Sequence, residues 1–164
     1  MLSLRLPFAL LKRQIIRTLC LSVLQVHFVH MIKYNAQRLK DPTLREEIGN
    51  LENLTEEKVD KFVEKYLEDI KCGRVDAWPY RAYSVSKIVL NAYTRVLARS
   101  VEDRPDGQRI YVNCATPGYC KTDMTKNSGI YTAEEGAVVL VWVALLPPEQ
   151  PSGQFFAENK AERY

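Results

Sequence analysis

The spacing of apolar side chains predicts an amphipathic helix from Asn53 to Gly73. Thr55 is suited to the N-cap, with two glutamates in the first turn behind it, and Lys71 and Gly73 are typical of a helix end. Between these ends the apolar residues recur at i, i+3, i+4 and i+7, a spacing that puts one stripe on one helix face. The stripe consists of Val59, Phe62, Val63, Tyr66, Leu67 and Ile70.

After this helix the pattern alternates between helix and strand. The loop "TPGYCKTDMT" separates the first predicted strand from the next helix, because Pro117-Gly118 cannot continue a central strand. Short connections between alternating helices and strands indicate a parallel sheet in an α/β layer fold. The predicted elements are a helix over Ala82–Arg99, a strand over Arg109–Ala115, a helix from the Thr132/Glu135 capping box to Pro147, and a strand over Gly153–Ala157.

Residues 1–40 form a segment distinct from residues 41–164. They contain seven Lys and Arg and no Asp or Glu, a net charge of +7. Because the whole chain has a net charge of +3, residues 41–164 carry a net charge of −4. The most apolar run, Thr18–Ile32, is shorter than the ~20 residues that a membrane-spanning helix needs. The pattern favours a helix up to about Arg17 and a buried strand over Leu21–Val29. An organelle-targeting leader is the weaker alternative.

Composition excludes several functional classes. The small net charge does not argue for nucleic-acid binding. The four cysteines have no CxxC spacing and few histidines near them, so no metal site is expected. Reduced cysteines in a globular chain that is 46% hydrophobic indicate a cytoplasmic protein.

The stretch "RAYSVSKIVLNAYTR" carries the candidate chemistry. Tyr83 and Lys87 are four residues apart, so on a helix they share a face. An ammonium group near the phenol lowers its pKa from about 10, because it stabilises the phenolate. A tyrosine tuned in this way can exchange a proton with a carbonyl or alcohol oxygen. Taken alone, the pair could also be an ordinary surface contact.

Four motifs together resemble the C-terminal half of the short-chain dehydrogenases/reductases: "AYSVSK", "YVNCATPGYCKTDM", "EEGA" and "ALLPPEQPSGQFF". The branch they resemble most is the NADPH-dependent carbonyl reductases, with the plant neomenthol dehydrogenase- and salutaridine reductase-like enzymes. The resemblance spans roughly Asn50 to Tyr164, and the helix Asn53–Gly73 is similar to an insertion associated with monomeric forms. It implies a partial Rossmann-type, doubly wound parallel sheet that lacks the N-terminal cofactor-binding strands.

The resemblance also implies roles for particular residues. Tyr83 would be the general acid toward a small-molecule carbonyl substrate, with NADP(H) as the cofactor. Lys87 would lower the pKa of Tyr83 and bond the nicotinamide ribose. Pro117 and Gly118 would shape the loop against the nicotinamide. Tyr119 and Cys120 would offer backbone groups to the nicotinamide. Thr122 would bond the carboxamide or a phosphate oxygen.

Other features of that family are missing from the sequence. No Gly-rich phosphate turn precedes the pair, because the first glycine in the chain is Gly49. The serine expected beside the tyrosine would fall near His27–Lys33, which contains no hydroxyl, and Ser22 lies too early. The segment "AWPYRAYS" is one to three residues shorter than in the family. We therefore expect a truncated reductase, weak or inactive alone. The alternative is a non-catalytic interaction protein that pairs through an exposed sheet edge with itself or a full-length relative.

Overall fold

The computed structural model describes residues 18–21, 39–50, 52–78, 82–103, 110–147, 152–157 and 160–162. The predicted helix up to about Arg17 lies outside the described residues. So do Ser22, the segment His27–Lys33 and most of the predicted strand Leu21–Val29.

A four-stranded sheet forms the centre of the described structure. Its strands are β1 (Thr18–Leu21), β2 (Tyr111–Ala115), β3 (Phe155–Ala157) and β4 (Lys160–Glu162), in that spatial order. The first three strands are parallel, and β4 runs antiparallel to β3. The predicted parallel sheet is therefore confirmed. The first strand begins earlier than expected, at Thr18 instead of Leu21.

Within the part of the chain that the structure describes, four α-helices accompany the sheet: α1 (Pro42–Gly49), α2 (Glu56–Lys71), α3 (Ala82–Ser100) and α4 (Ala133–Ala144). The predicted caps are present, since Thr55 accepts a hydrogen bond from Lys58 N, and Thr132 and Glu135 form a reciprocal capping box. Helix α1 was not predicted, although Asp41 caps it by accepting bonds from the amides of Thr43 and Leu44. A 3-10 helix, Asp123–Thr125, lies in the predicted loop after β2.

Helices cover both faces of the sheet. Successive residues of a strand point to opposite faces, so Cys114 and Ala115 of β2 enter different cores. Cys114 packs with Leu90 of α3, while Ala115 packs with Val139 of α4. The result is a three-layer α/β/α arrangement, with α3 and α4 on opposite sides of the strands.

Helices α1 and α2 pack around α3 in a third core that contains Leu44, Phe62 and Ile88. Trp78, in the segment between α2 and α3, meets the rings of Phe62 and Tyr66 edge-on, each with centroids 5.1 Å away.

The predicted apolar stripe of α2 is only partly correct. Phe62 is 3% exposed, but Leu67 and Ile70 are 50% and 41% exposed. The charged Asp69 is buried instead, at 4% exposure. The buried residues are Val59, Phe62 and Asp69, with Tyr66 partly buried, because that side of the helix meets Trp78 and α3.

Candidate active site

Tyr83 and Lys87 lie on the first turns of α3, as the spacing predicts. The Lys87 ammonium nitrogen is 5.2 Å from the centroid of the Tyr83 ring, within the range of a cation–π contact. Both side chains are partly buried. Ser86, between them, donates its hydroxyl proton to the Tyr83 carbonyl at 2.7 Å and so is tied to the helix backbone.

The pKa of Tyr83 moves in the direction opposite to the one expected from the sequence. Burial of the phenol raises its pKa above the ordinary value of 10.0, because the phenolate loses hydration. The expectation of a lowered pKa in this structure is therefore wrong. A phenol whose pKa is 10.0 or higher is protonated at neutral pH, the state that a general acid requires.

The direction of α3 brings this pair to the carboxyl edge of the sheet. Near the middle of the helix, Thr94 Oγ1 accepts a bond from Cys114 Sγ, near the end of β2, at 2.9 Å. Later on the helix, Ala98 faces Gly153, whose amide bonds the carbonyl of Val112 near the start of β2. Helix α3 therefore runs antiparallel to β2, and its N-terminal turns point toward the carboxyl end of the strand.

Distances along the chain place Lys87 level with the loop after β2. Lys87 is seven residues before Thr94, about 10 Å along a helix axis. Pro117 is three residues beyond Cys114, also about 10 Å along an extended chain. The pair and the loop thus lie at the same edge, where ligands bind in open parallel sheets.

The loop itself is closed by backbone hydrogen bonds. The carbonyl of Tyr119 accepts bonds from the amides of Ile130 and Tyr131 at 2.7 and 3.1 Å, and Lys121 N donates to the Tyr131 carbonyl at 2.8 Å. Gly118 has φ +78, a left-handed conformation that favours glycine, and its amide donates to Thr116 Oγ1 at 3.3 Å. The glycine predicted to shape the loop therefore occupies a position that needs one.

Helix α4 supports this loop from behind. A Cβ at Gly136, in its first turns, would lie 2.2 Å from Cys120 Sγ and 3.1 Å from the Pro117 carbonyl oxygen. Cys120 is buried there, and burial followed by the nearby Glu135 charge raises the pKa of its thiol. Sequence reasoning placed Gly136 in the motif "EEGA" but missed this close approach.

Thr122 and Thr125 form the centre of the loop. Thr122 N donates to Thr125 Oγ1 at 2.9 Å, while the two hydroxyl oxygens are 3.5 Å apart, the outer limit for a hydrogen bond. Thr125 was missed by the sequence analysis. Its signal is the Thr-x-x-Thr spacing of a helix-capping pair, which is weak alone.

The structure therefore brings Tyr83 and Lys87 together and places Pro117, Gly118, Tyr119, Cys120 and Thr122 in one closed loop at the same edge. A parallel sheet with helices on both faces and such a pair at its carboxyl edge defines the class as a Rossmann-type α/β protein.

Comparison with known proteins gives the family. The chain is 41% identical over 128 residues to short-chain dehydrogenase/reductase 1 from Saponaria officinalis, covering 76% of this chain and 40% of that protein. It is 46% identical over 115 residues to (+)-neomenthol dehydrogenase from Capsicum annuum, covering 68% and 35%. The structure of salutaridine reductase from Papaver somniferum matches with a TM-score of 0.65 and 40% identity, covering 76% of this chain and 42% of that one.

No protein-family model matches the chain. The chain spans roughly half, or less, of the length of these curated relatives. Over the matched region it belongs to the short-chain dehydrogenase/reductase family and corresponds to a C-terminal portion of it. The predicted resemblance and the partial Rossmann-type fold are both confirmed. Among the described residues no helix is long and apolar enough to cross a membrane.

Proposed function

We propose that this chain carries the tyrosine–lysine side of an NADP(H)-dependent carbonyl reductase site. The reaction is hydride transfer between NADP(H) and a small ketone or aldehyde, or the reverse from an alcohol. One observation carries the proposal: Tyr83 and Lys87 adjoin on α3 at the same sheet edge as the closed loop Pro117–Thr122.

The chemistry of the loop fits a nicotinamide. The carbonyls of Tyr119 and Cys120 are used inside the loop, by Ile130 and Tyr131 and by Thr125 respectively. Thr122 Oγ1 lies 3.5 Å from Thr125 Oγ1, the outer limit for a hydrogen bond, so the Thr122 hydroxyl can donate its proton to a carboxamide or phosphate oxygen. Gly118 lets the backbone approach a flat ring closely.

In reduction, Tyr83 supplies the proton. NADPH, when bound, supplies the hydride to the carbonyl carbon. The Tyr83 phenol, protonated at neutral pH, donates its proton to the substrate oxygen as that oxygen gains charge. Lys87, one turn along α3, stabilises the phenolate that remains and can bond a ribose hydroxyl. Net change at the protein is one proton lost from Tyr83, which is regained from solvent.

The comparisons support the choice of cofactor and reaction class. Carbonyl reductase (NADPH) 1 from Homo sapiens is 34% identical over 143 residues, covering 85% of this chain and 51% of that protein. The relatives are enzymes by name, which favours this proposal over the non-catalytic interaction protein. NADP(H) is therefore the cofactor we assign.

We further propose that the 164-residue polypeptide turns over weakly by itself. The only glycines before the helix that carries Tyr83 are Gly49 and Gly73, which are far apart in the chain, so none of its residues there provides the Gly-rich turn that seats a pyrophosphate. Affinity for the adenosine half of the cofactor should be low for that reason.

A segment exchange tests the catalytic assignment without depending on that affinity. The matching C-terminal segment of salutaridine reductase is replaced by residues 39–164 of this chain, and NADPH oxidation is followed with a panel of ketones and aldehydes. We expect turnover that falls at least about 10²-fold in Tyr83→Phe, since general acid catalysis contributes at least that much. Tyr93→Phe, an exposed tyrosine on the same helix, is the matched control. A folded hybrid without turnover, or equal loss in both variants, would contradict the assignment.

A further inference from the structure

The loop after β2 is organised around one buried hydroxyl, that of Thr125. Its side chain is 3% exposed, at the end of the short 3-10 helix. Thr125 Oγ1 accepts the amide proton of Thr122 at 2.9 Å and lies 2.8 Å from the carbonyl oxygen of Cys120, to which it donates. A single side chain therefore holds the backbone at two positions of the loop.

The proton of this hydroxyl is directed at Cys120. The Thr122 carbonyl is also within reach, 2.9 Å from Thr125 Oγ1. That carbonyl already accepts the amide protons of Thr125 and Asn127, at 3.1 and 2.9 Å. The single hydroxyl proton therefore stabilises the loop more when it is donated to the buried Cys120 carbonyl. Without that donor, a buried carbonyl would lose its hydrogen bond, which destabilises the fold.

These two bonds determine which way the peptide groups face. In a trans peptide the C=O and N–H groups point in opposite directions. With the Cys120 carbonyl turned toward Thr125, the amide of Lys121 faces away and donates to the Tyr131 carbonyl at 2.8 Å. With the Thr122 amide turned toward Thr125, the Lys121 carbonyl faces away as well. The orientation of three consecutive residues thus depends on one hydroxyl.

We propose that Thr125 is a positioning residue of the nicotinamide loop, whose hydroxyl, by holding the Cys120 carbonyl and the Thr122 amide, fixes Thr122 in the orientation in which its side chain holds the cofactor. This inference rests on the proposed function, which assigns the Thr122 hydroxyl to the nicotinamide or a phosphate. Its advantage for binding is preorganisation, because a loop already ordered loses less conformational entropy when the ligand arrives.

Binding of NADPH to the 164-residue chain, followed by nicotinamide fluorescence, tests the cofactor role. Thr125→Val keeps the shape and removes the hydroxyl, and should raise the Kd about tenfold, equivalent to about 1.4 kcal/mol. Thr125→Ser keeps the hydroxyl and should stay within about twofold of the wild type. Thr94→Val is the matched control, since Thr94 is also buried and hydrogen-bonded but lies on α3 beside Cys114. Equal Kd values for wild type and Thr125→Val, or no rescue by serine, would overturn the proposal.

Amide hydrogen exchange separates this proposal from the proposed function. In Thr125→Val the Thr122 amide should exchange at least about tenfold faster, while the Cys114 amide, bonded to Gln154 in the sheet, should be unchanged. Unchanged exchange at Thr122 would refute the proposal whatever the chain does with NADPH. Faster exchange at Thr122 together with an unchanged Kd for NADPH would refute the cofactor role, leave the proposed function standing, and leave only an ordering role for Thr125.

Discussion

The carboxylate of Asp69 accepts a hydrogen bond from the indole nitrogen of Trp78 at 3.0 Å. The same carboxylate receives Arg74 Nε at 2.8 Å and Lys65 Nζ at 3.2 Å. Asp69 belongs to the last turn of α2, while Arg74 and Trp78 belong to the segment that leads to α3. One buried carboxylate therefore fastens the chain just before the helix that carries Tyr83 and Lys87.

Asp69 should make the stability of the fold depend on pH in the acidic range. The indole of Trp78, followed by Arg74, holds the pKa of Asp69 below its ordinary value of 3.8. A group whose pKa is lower in the folded state stabilises the fold above the unfolded-state pKa, and loses that contribution as the pH falls through the folded-state pKa. Asp69→Asn should therefore lower the melting temperature at pH 7, and the gap to the wild type should narrow below pH 4. Thermal denaturation checks this, with the exposed Asp60→Asn on the same helix as control. A gap that is constant with pH would count against the carboxylate bonds.

Tyr83 should make the stability of the fold depend on pH in the alkaline range. Its pKa is raised by burial above 10.0, so the folded chain keeps the phenolic proton longer than the unfolded chain does. The resulting contribution is complete below pH about 10 and is lost as the pH rises through the folded-state pKa. The difference in unfolding free energy between wild type and Tyr83→Phe should therefore shift against the wild type above pH 10. Denaturant unfolding from pH 8 to 11 measures it. The difference absorbance of tyrosinate should show Tyr83 ionising above 10, and ionisation near neutral pH would contradict this.

Gly136 should not tolerate a side chain. An added Cβ would lie 2.2 Å from Cys120 Sγ and 3.1 Å from the Cβ of Pro117, so either the loop or α4 must move. Gly136→Ala should cost about 1–3 kcal/mol of unfolding free energy, the range for overpacking. Gly49→Ala is the control, because a Cβ there meets nothing within 4 Å. Cys120→Ala in the Gly136→Ala background removes the closest atom and should restore part of the loss. Equal stability of Gly136→Ala and wild type would show that this close contact is absent.

Truncation of two apolar residues of α2 should destabilise the protein to very different extents. Phe62 is 3% exposed and packs on Trp78, whereas Leu67 is 50% exposed. Phe62→Ala should cost about 3–5 kcal/mol, because it leaves a cavity. Leu67→Ala should cost less than about 1 kcal/mol, since most surface substitutions have small effects. Denaturant unfolding of both variants measures the two losses of unfolding free energy. Comparable losses would mean that the side of the helix that carries Leu67 is also packed.

The contrast between these two residues also shows how far the sequence could be interpreted. Thr55 and the Thr132/Glu135 box were correctly assigned, because capping depends on residues three positions apart in the chain. The burial of Asp69 could not be predicted, because its partners Arg74 and Trp78 follow the helix and approach only when the chain turns back. Leu67 was placed in the apolar stripe but is half exposed, because apolar spacing defines a stripe but not which edge of it meets α3.

Some features of the candidate site were likewise predicted from the sequence, and others were not. Tyr83 and Lys87 were paired correctly from helical spacing alone, and the loop was located by its Pro-Gly pair. The direction of the Tyr83 pKa was wrong, because local spacing gives the neighbouring charge but not the loss of solvent around the ring. Thr125 was missed because its hydroxyl acts through backbone groups of Cys120 and Thr122, which side-chain patterns do not encode.

Two ligands titrated against the same 164-residue chain test most directly whether Tyr83, Lys87 and the loop form the nicotinamide side of a reductase site. Calorimetry is run with NADPH and with reduced nicotinamide mononucleotide, which lacks the adenosine half. We expect both to bind saturably, with Kd values within about threefold of each other, and both to weaken about tenfold or more in Lys87→Met. No saturable binding of either ligand, or binding that Lys87→Met leaves unchanged, would contradict the assignment of this edge of the sheet to the nicotinamide.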